Sequence, residues 1–407
     1  MLQKRIALLG QSRVDYPLNK TSQLIFEHSG DNLGNFLFRY ALESLLENHH
    51  ISTFNLSVDP QKLCAENDLI VIPSANQFNN RFDLTGWANF FEKCTIPLLA
   101  IGVGAQSAIN QADAIQLKPG TRRYFDVLKE KCPTLLLRGA YTQECLAQIG
   151  ITNTEILGCP SNLISDDEGL GETVAAGFDR DITLLNIGSC ELAGGQNGLT
   201  MEKKFIAECI QRQGIYSIQA PFPAFAGVWD RNFEAFDQYF GRFTNDARAL
   251  YERSFVFASA EEWLRRLQGC SHSVGMRVHG TVAPLQAGVP AVCVVHDSRT
   301  KELAQTMKLP FLELGNAVDL SVPEIITQGA ASFSAQAYDA NRKRQLEVVR
   351  QLFSGVGVEL SQGGLPETFD WQQYIQHNPD LRSAGIDTFE KASTHWLLHG
   401  KSEARRY

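Results

Sequence analysis

The sequence predicts an α/β fold of two doubly wound, Rossmann-like domains that face a cleft, followed by a small helical appendage at the C-terminus. Three observations support this prediction. Short apolar runs alternate with amphipathic stretches, which is typical of parallel β-α-β units. The alternation stops in the acidic, glycine-containing stretch 165–172 and restarts at residue 182. After a Gly/Pro break at 363–366 the chain changes character and becomes rich in aromatic residues and histidine.

The first predicted domain covers residues 1–165. Its helices are predicted from apolar residues that recur with the helical period, at 36–47, 122–131 and 141–148. Its strands are predicted from short, bounded apolar runs, at 6–9, 51–56, 69–72, 98–103 and 134–137. Stretch 165–172 is the predicted hinge or linker, because acidic residues and glycine interrupt periodic structure.

The second predicted domain covers residues 175–355. A strand at 182–187 opens it, and an aromatic-rich segment at 230–251 is predicted to be helical. A helix at about 335–353 is long enough to pack across both domains. The appendage, 367–407, is predicted to form two or three short helices that serve as a packed cap rather than a separate binding module.

Composition and charge exclude several classes of protein. Of 407 residues, 44% are hydrophobic and 20% are charged, as in a soluble globular enzyme. The formal net charge of −8 gives no basic field for nucleic acid or anionic membrane, so an anionic ligand must meet local cations. No apolar run is long enough to span a membrane, and the N-terminus does not resemble a signal peptide. Nine cysteines without a Cys-x-x-Cys pair indicate a reducing compartment. Cys159 and Cys293 stand in apolar or turn contexts, and we expect them to be small core residues. We therefore expect a cytoplasmic protein. This expectation is compatible with peripheral contact between the protein and a membrane.

Stretch 275–290 contains the strongest candidate for a ligand site. Arg277 and His279 follow an apolar run and stand where a small-residue helix begins. The free N–H groups and the dipole of a helix N-terminus favour anions, and arginine can bind a carboxylate or phosphate with two donors. The pattern predicts an anionic-substrate site. The alternative is that both residues are surface or structural groups.

Other polar residues stand at predicted strand ends and helix starts. Arg138 and Arg299 are further cations. Hydrogen-bonding side chains suited to a hydroxyl-rich substrate begin the first domain's helix or end its glycine-rich turn; they are Asp31, Asn32, Asn35 and Gln106. No phosphate-binding loop, dinucleotide fingerprint or nucleophile elbow is present. Asp166 and Asp167 are adjacent acids that we interpret as solvated side chains. We expect that the protein uses neither a metal ion nor a cofactor.

Several of these motifs together resemble the polysaccharide pyruvyl transferase family. The segments that carry the resemblance are 275–280 (GMRVHG), 287–290 (AGVP), 297–299 (DSR), 30–35 (GDNLGN), 101–104 (IGVG), 138–142 (RGAYT) and 158–161 (GCPS). The resemblance extends from about residue 30 to 310. It implies the two-domain architecture of type B glycosyltransferases. It also implies transfer of the pyruvyl group of phosphoenolpyruvate onto two sugar hydroxyls, which forms a cyclic ketal.

The sequence departs from the family at two positions. Many members carry an acid where Asn35 stands and an aspartate at or near Asn162. A carboxylate that activates the acceptor is therefore not implied at these positions, and Asp31 is the nearest substitute.

The resemblance implies a role for each candidate. Arg277 and Arg138 would clamp the two anionic groups of the donor, with Arg299 as a third cation. His279 would protonate the donor methylene or only anchor the phosphate; a bound phosphate would raise its pKa, and the helix N-terminus would oppose this. The predicted donor-binding residues are Arg277, His279, Arg138, Gly280, Thr281 and Arg299. The predicted acceptor-binding residues are Asp31, Asn32, Asn35 and Gln106, and the predicted catalytic residues are His279 and Asp31.

Two other functions remain open at this stage. The first is a nucleotide-sugar glycosyltransferase of the same architecture, which the lack of an acid between Arg277 and His296 disfavours. The second is an inert relative that binds glycan. The tail, around Trp371, Tyr374 and Trp396, resembles a short helical module appended to bacterial glycan-synthesis enzymes. This supports a sugar, oligosaccharide or lipid-linked glycan as acceptor.

Overall fold

Two six-stranded parallel sheets, one from each half of the chain, form the centre of the computed structural model. The structure describes residues 3–14, 21–106, 115–188, 194–361 and 370–396, together with 400 and 405. The predicted fold class, two doubly wound α/β domains, is confirmed. Contacts divide the chain into a large unit, 1–360, which holds both sheets, and a small unit, 361–407.

The first sheet has the strand order β2-β1-β3-β4-β5-β6. Its strands are β1 (Arg5–Leu9), β2 (His50–Phe54), β3 (Leu69–Pro73), β4 (Leu98–Val103), β5 (Leu135–Leu137) and β6 (Thr154–Ile156). The described helices of this half are α1 (Ser22–Ser29), α2 (Asn35–Leu45), α3 (Pro60–Glu66), α4 (Thr85–Glu92), α5 (Pro119–Lys131) and α6 (Ala140–Gln148). Strands β3 and β4 are buried along their whole length, because helices cover both faces of a parallel sheet.

The second sheet has the order β12-β11-β10-β7-β8-β9. Its strands are β7 (Leu185–Gly188), β8 (Ile215–Ser217), β9 (Ser254–Phe255), β10 (His272–Gly275), β11 (Ala291–Val295) and β12 (Phe311–Glu313). Its helices include α7 (Leu170–Phe178), α8 (Gly195–Gln211), α9 (Phe222–Trp229), α10 (Phe233–Phe240), α11 (Ala247–Arg253) and α12 (Ala260–Leu267). The others are α13 (Val278–Gln286), α14 (Ser298–Met307), α15 (Leu314–Ala317), α16 (Val322–Ser332) and α17 (Ala335–Ser354).

The aromatic-rich segment 230–251, which was predicted to be helical, forms two helices. It contains α10 and most of α11, because two side chains start new helices within it. Asn232 accepts a hydrogen bond from Ala235 N at 3.0 Å, and Asp246 accepts one from Ala249 N at 3.1 Å. Such N-caps satisfy N–H groups at a helix start.

Helix α2 packs into the cores of both halves. Phe36 and Phe38, in its first turn, belong to the core around the second sheet, whereas Leu42 and Leu45 belong to the core behind the first sheet. Complete burial of one such side chain contributes about 1.5–3 kcal/mol. The apolar contacts of α2 therefore hold the two sheets against each other.

Helix α17 also packs against both halves, as its predicted length suggested. Tyr338 lies in the core of the second half, and Val349 and Phe353 lie in the core behind the first sheet. Between them, buried Arg342 donates to the carbonyls of Ser165 and Asp167. The stretch predicted as a hinge is thus fastened to α17, and its end begins α7.

A buried polar network fills the middle of this seam. Asn162, in a 3-10 helix at Pro160–Leu163, accepts from the Tyr338 hydroxyl at 2.9 Å and donates to Gln345 at 2.9 Å. The Tyr338 hydroxyl also accepts from Gln286 at 2.9 Å. Asn162 is therefore a structural residue here, and its amide both donates and accepts, which a carboxylate cannot do.

The small unit consists of α18 (Trp371–His377), α19 (Pro379–Ser383) and α20 (Phe389–His395). These helices pack around their own core, which includes Tyr374, Leu381 and Trp396. The Tyr374 hydroxyl lies 2.8 Å from Nδ1 of His395. The short helices expected in the tail are confirmed. Among the described residues of the whole chain, no helix is both long and apolar enough to cross a membrane.

We expect Tyr338→Phe to lower the free energy of unfolding by about 1–3 kcal/mol, because it removes a buried hydroxyl that donates to Asn162 and accepts from Gln286. Chemical denaturation of the two proteins measures the difference. Tyr251→Phe is the matched control, since the half-buried Tyr251 hydroxyl makes no hydrogen bond to any described residue. Equal losses in the two variants would contradict a structural role for the network.

Candidate functional site

An open cleft lies at the carboxyl ends of strands from both sheets. Open α/β folds bind ligands in this position, because the strand ends and the following helix starts expose backbone and polar side chains. Six of the predicted residues line the cleft: Asn32, Asn35, Arg138, Arg277, His279 and Arg299. Residues separated by more than 260 positions in the chain thus share one site.

The N-terminus of α13 forms one wall. Arg277, directly after β10, is its N-cap residue and has an extended backbone. The first hydrogen bond of the helix runs from Thr281 N to Arg277 O at 3.2 Å, so the N–H groups of Val278, His279 and Gly280 precede it. The predicted combination of a cation, an imidazole and a helix N-terminus therefore exists as a local structure, and it favours an anion.

His279 is neutral in this environment. Burial is the main cause that lowers its pKa from the ordinary 6.5 to about 3. The positive charges of Arg138, Arg299 and Arg277 lower this pKa further. Nε2 of the ring lies 3.5 Å from Sγ of Cys159, and the ring packs against Phe38 at a centroid distance of 5.7 Å. An anion that enters the cleft opposes the effect of the arginines on the imidazole.

Arg138, directly after β5, is buried beneath the glycine-rich turn after β4. Its guanidinium donates to Gly102 O at 3.0 Å and to Oδ1 of Asn76 at 2.7 Å. A Cβ atom at Gly104 would lie 2.6 Å from Cδ of Arg138, so the turn needs glycine for this close approach. Burial lowers the pKa of the guanidinium. Arg138 is thus positioned by the backbone, and it retains N–H groups for a ligand.

Arg299 lies in the first turn of α14, which follows β11. Asp297 starts this helix with a capping box: its carboxylate accepts from Thr300 N at 2.7 Å. Nε of Arg299 lies 3.6 Å from the same carboxylate. The helix start therefore fixes the guanidinium beside the cleft, and one edge of it already faces an acid.

Asn32 and Asn35 form the opposite wall at the start of α2. Oδ1 of Asn32 accepts from Gly34 N at 3.0 Å. Nδ2 of Asn35 donates to the carbonyls of Ser29 at 2.9 Å and Gly30 at 3.3 Å. The departure at position 35 has a physical reason in this chain, because a carboxylate there would face two carbonyl oxygens.

Gly34 brings this wall close to the second half. A Cβ atom there would lie 2.7 Å from Oε1 of Gln219 and 3.1 Å from Cβ of His279. Leu33 N donates to Gln219 O at 2.9 Å. Any larger residue at this position would push the first turn of α2 away from the imidazole.

Sequence reasoning missed Asn76 and Gln219, which also line the cleft. Asn76 follows β3 by three positions, and Gln219 follows β8 by two. The sequence signal for both residues is a polar side chain shortly after a buried strand, with no recognisable motif around it. Ala75, Val278, Thr300 and Leu303 complete the lining.

Glu302 was also missed, and it connects the two halves beside the cleft. From α14 of the second half, its carboxylate accepts from Thr142 N at 3.0 Å and from Thr142 Oγ1 at 3.3 Å, in the first turn of α6. Burial is the main cause that raises its pKa, while Thr142 and Arg138 oppose the rise. A carboxylate thus occupies the helix N-terminus next to Arg138.

Four predicted residues do not line the cleft. Asp31 is exposed and lies with φ 61° in the turn that ends α1, where its N–H donates to Phe26 O at 3.0 Å. Gln106 is not part of the cleft lining, and its Oε1 lies 3.5 Å from Nδ2 of Asn76, a residue that does line the cleft. Gly280 and Thr281 are buried within α13. Neither residue lines the cleft, so only backbone groups at the helix start are left to contact a ligand. Within the described ranges, no group of three or more His, Cys, Asp or Glu side chains is placed to hold a metal ion.

Known proteins share sequence or fold features with the chain. A family model described as polysaccharide pyruvyl transferase matches residues 32–298, which include both walls of the cleft and end one residue before Arg299. No curated protein sequence is significantly similar.

Solved structures of similar fold have low identity. HepE of Anabaena, in complex with UDP and glucose, is 14% identical over 87% of this chain and 100% of its own, with a TM-score of 0.45. UDP-GlcNAc 2-epimerase from Neisseria meningitidis, bound to UDP-GlcNAc, is 9% identical over 86% and 100%, with a TM-score of 0.39. The UDP-GlcNAc 2-epimerase of Methanocaldococcus jannaschii is 10% identical over 86% and 100%, with a TM-score of 0.40.

His279 should give stability a pH dependence. Because its pKa in the fold, about 3, is below 6.5, the unfolded chain gains a proton below pH 6.5 that the folded chain does not. The free energy of unfolding then falls as pH drops, by up to about 1.4 kcal/mol per pH unit. Between pH 6.5 and 5 the native protein should lose about 2 kcal/mol more than His279→Gln. Chemical denaturation at both pH values measures this, and equal losses would mean that His279 titrates normally in the fold.

Proposed function

Since the chain belongs to the polysaccharide pyruvyl transferase family, we propose that it moves the pyruvyl group of phosphoenolpyruvate onto two hydroxyls of a sugar. The product is a cyclic ketal, made in the biosynthesis of a bacterial surface or extracellular polysaccharide. One observation carries the proposal: three guanidinium groups, one imidazole and a helix N-terminus converge in one cleft. No carboxylate belongs to the lining of that cleft within the described chain.

The charge of the cleft suits this donor. Phosphoenolpyruvate carries a carboxylate and a phosphate on adjacent positions, and the cleft offers Arg277, Arg299 and the remaining N–H groups of Arg138. Guanidinium groups bind both kinds of anion with paired donors, and the start of α13 adds backbone N–H groups. We assign Arg277 as the main ligand of the donor, because it is the N-cap residue of α13 and lines the cleft beside the N–H groups of the helix start.

His279 is the proposed general acid. Protonation of the C3 methylene makes C2 electrophilic, so that a sugar hydroxyl can attack it and phosphate can leave. The bond from Nε2 to Cys159 leaves Nδ1 as the ring nitrogen that faces a ligand. Burial, and after it the charges of the three arginines, keep the imidazole neutral in the free protein, and the anionic donor opposes the effect of the arginines.

Neutral amides supply the proposed acceptor wall. Asn32, Asn35, Asn76 and Gln219 line the cleft, and amides both donate to and accept from hydroxyl groups. Asp31 lies outside this lining, so the proposed base for the attacking hydroxyl is His279 itself, after it has given up its proton.

Loss of donor binding is the expected result of Arg277→Ala. We expect an affinity for phosphoenolpyruvate at least ~100-fold weaker, because removal of a charged, two-donor contact costs about 3 kcal/mol. Isothermal titration calorimetry measures this. Arg265→Ala, an exposed arginine of α12 in the same half, is the matched control and should bind normally.

A panel of nucleotide sugars belongs in the same titrations. Binding of a nucleotide sugar, with no response to phosphoenolpyruvate, would contradict the proposal and favour a glycosyltransferase. Binding of neither donor nor nucleotide sugar, with affinity for glycan alone, would favour an inert relative.

His279→Gln should separate binding from chemistry. We expect the affinity for phosphoenolpyruvate to stay within a few-fold, because glutamine can still donate to the phosphate. Turnover should fall by roughly 10²–10⁴-fold, the usual contribution of a general acid. Phosphate release with a diol-bearing sugar acceptor measures turnover. Near-normal turnover would show that the histidine only anchors the donor.

A further inference from the structure

A buried thiol contacts the imidazole on the side away from the ligand. Cys159 is 1% exposed and directly precedes the 3-10 helix at Pro160–Leu163. Its Sγ lies 3.5 Å from Nε2 of His279, and it accepts a hydrogen bond from the Ser161 hydroxyl at 3.0 Å. The apolar context of Cys159 suggested a small core residue. Its contacts instead place it behind the proposed general acid.

The contact is compatible with either tautomer of the neutral imidazole. In one of them the S–H group of Cys159 donates to Nε2, the Ser161 hydroxyl donates to the sulfur, and the ring proton is on Nδ1. In this tautomer the N–H group of the ring is on the side away from Cys159, which is the arrangement that a proton donor to the substrate needs.

We propose that Cys159 is a positioning residue that holds the Nδ1–H tautomer of His279 and returns a proton to Nε2 when His279 protonates the donor. The inference rests on the proposed function of the site. It explains how a histidine among three arginines acts as an acid without first becoming a cation.

The relay balances within one turnover. Nδ1–H passes its proton to C3 of phosphoenolpyruvate as the thiol proton moves to Nε2, which leaves a neutral imidazole and a thiolate. The first sugar hydroxyl attacks C2, and its proton goes to Nδ1, while the proton on Nε2 returns to sulfur. The second hydroxyl displaces phosphate, and its proton leaves with it as hydrogen phosphate. Cys159 and His279 end as they began.

The surroundings stabilise the transient thiolate. The Ser161 hydroxyl donates directly to Sγ. The charge of Arg138 interacts with Cys159 as well as with His279. The charge of this guanidinium opposes an imidazolium at His279 and so disfavours direct protonation of the ring. Arg277 and Arg299 are the other charged groups that act on His279, and Phe38 covers its face.

Cys159→Ser tests the relay. Serine keeps a hydroxyl beside Nε2 but is a far weaker acid than cysteine. We expect turnover to fall by about 10–100-fold while the affinity for phosphoenolpyruvate stays within twofold. The residual turnover should rise as pH falls from 7.5 to 6, because His279 must then be protonated from solvent, whereas wild-type turnover should stay flat. Cys209→Ser, a buried cysteine of α8 away from the cleft, is the matched control with unchanged turnover.

Ser161→Ala provides a second test that leaves the thiol in place. Loss of the donor to sulfur should lower turnover by about 3–10-fold without a change in donor affinity. Turnover within twofold of wild type in a folded Cys159→Ser protein, or in Ser161→Ala if the cysteine variant does not fold, would overturn the relay. A wild-type protein that forms no ketal from phosphoenolpyruvate would instead overturn the proposed function, so the two failures are distinguishable.

Discussion

The packing of α2 into two cores is the constraint on which the cleft depends. Its first turn carries Phe36 and Phe38 into the core of the second half, and its later turns carry Leu42 and Leu45 into the core behind the first sheet. Apolar burial therefore sets the width of the cleft. Asn32 and Asn35 stand at the start of this helix, and Gly34 lets it approach His279. The wall formed by Asn32 and Asn35 is thus positioned by apolar side chains that are buried in the two cores.

The cationic and the neutral polar groups of the cleft are distributed unequally between the two halves of the chain. The second half supplies Arg277, His279 and Arg299 from the starts of two helices, and the first half supplies Asn32, Asn35, Asn76 and the buried Arg138. Cations taken out of water are costly. Arg138 is stabilised by oxygen acceptors at strand ends and Arg299 by Asp297. The charges of the arginines add to the main effect of burial in lowering the pKa of His279, and they favour an anionic ligand.

The sequence predicted the architecture well because strand periodicity and helix starts are local signals. Arg277, His279, Arg299 and Arg138 could be placed in one cleft because each lies within four residues after a strand, and parallel strands end on the same edge. The roles assigned to these residues remain predictions. Asn76, Gln219 and Glu302 carry no motif, so only the fold shows that they reach the cleft or bridge it.

Two further outcomes show what local patterns cannot supply. Asp31 was chosen as the acid nearest to the first helix, yet the turn that ends α1 directs it to solvent, outside the cleft lining. Cys159 read as a core residue, and its burial agrees with that reading. Its contact with His279 joins positions 120 apart. No spacing rule predicts such a contact, because it depends on how β6 and α13 meet in three dimensions.

The shared helix α2 also determines where this chain can be recombined with a relative. A chimaera joined at the stretch between the sheets, near residue 165, would take the first turn of α2 from one parent and the core that receives it from the other. Arg342 of α17 would also have to fasten a stretch from a different parent. The units that can be exchanged to alter the amide side of the cleft are therefore the turn 30–34 and the segment after β3, transplanted together with the apolar face of α2, rather than the whole first half.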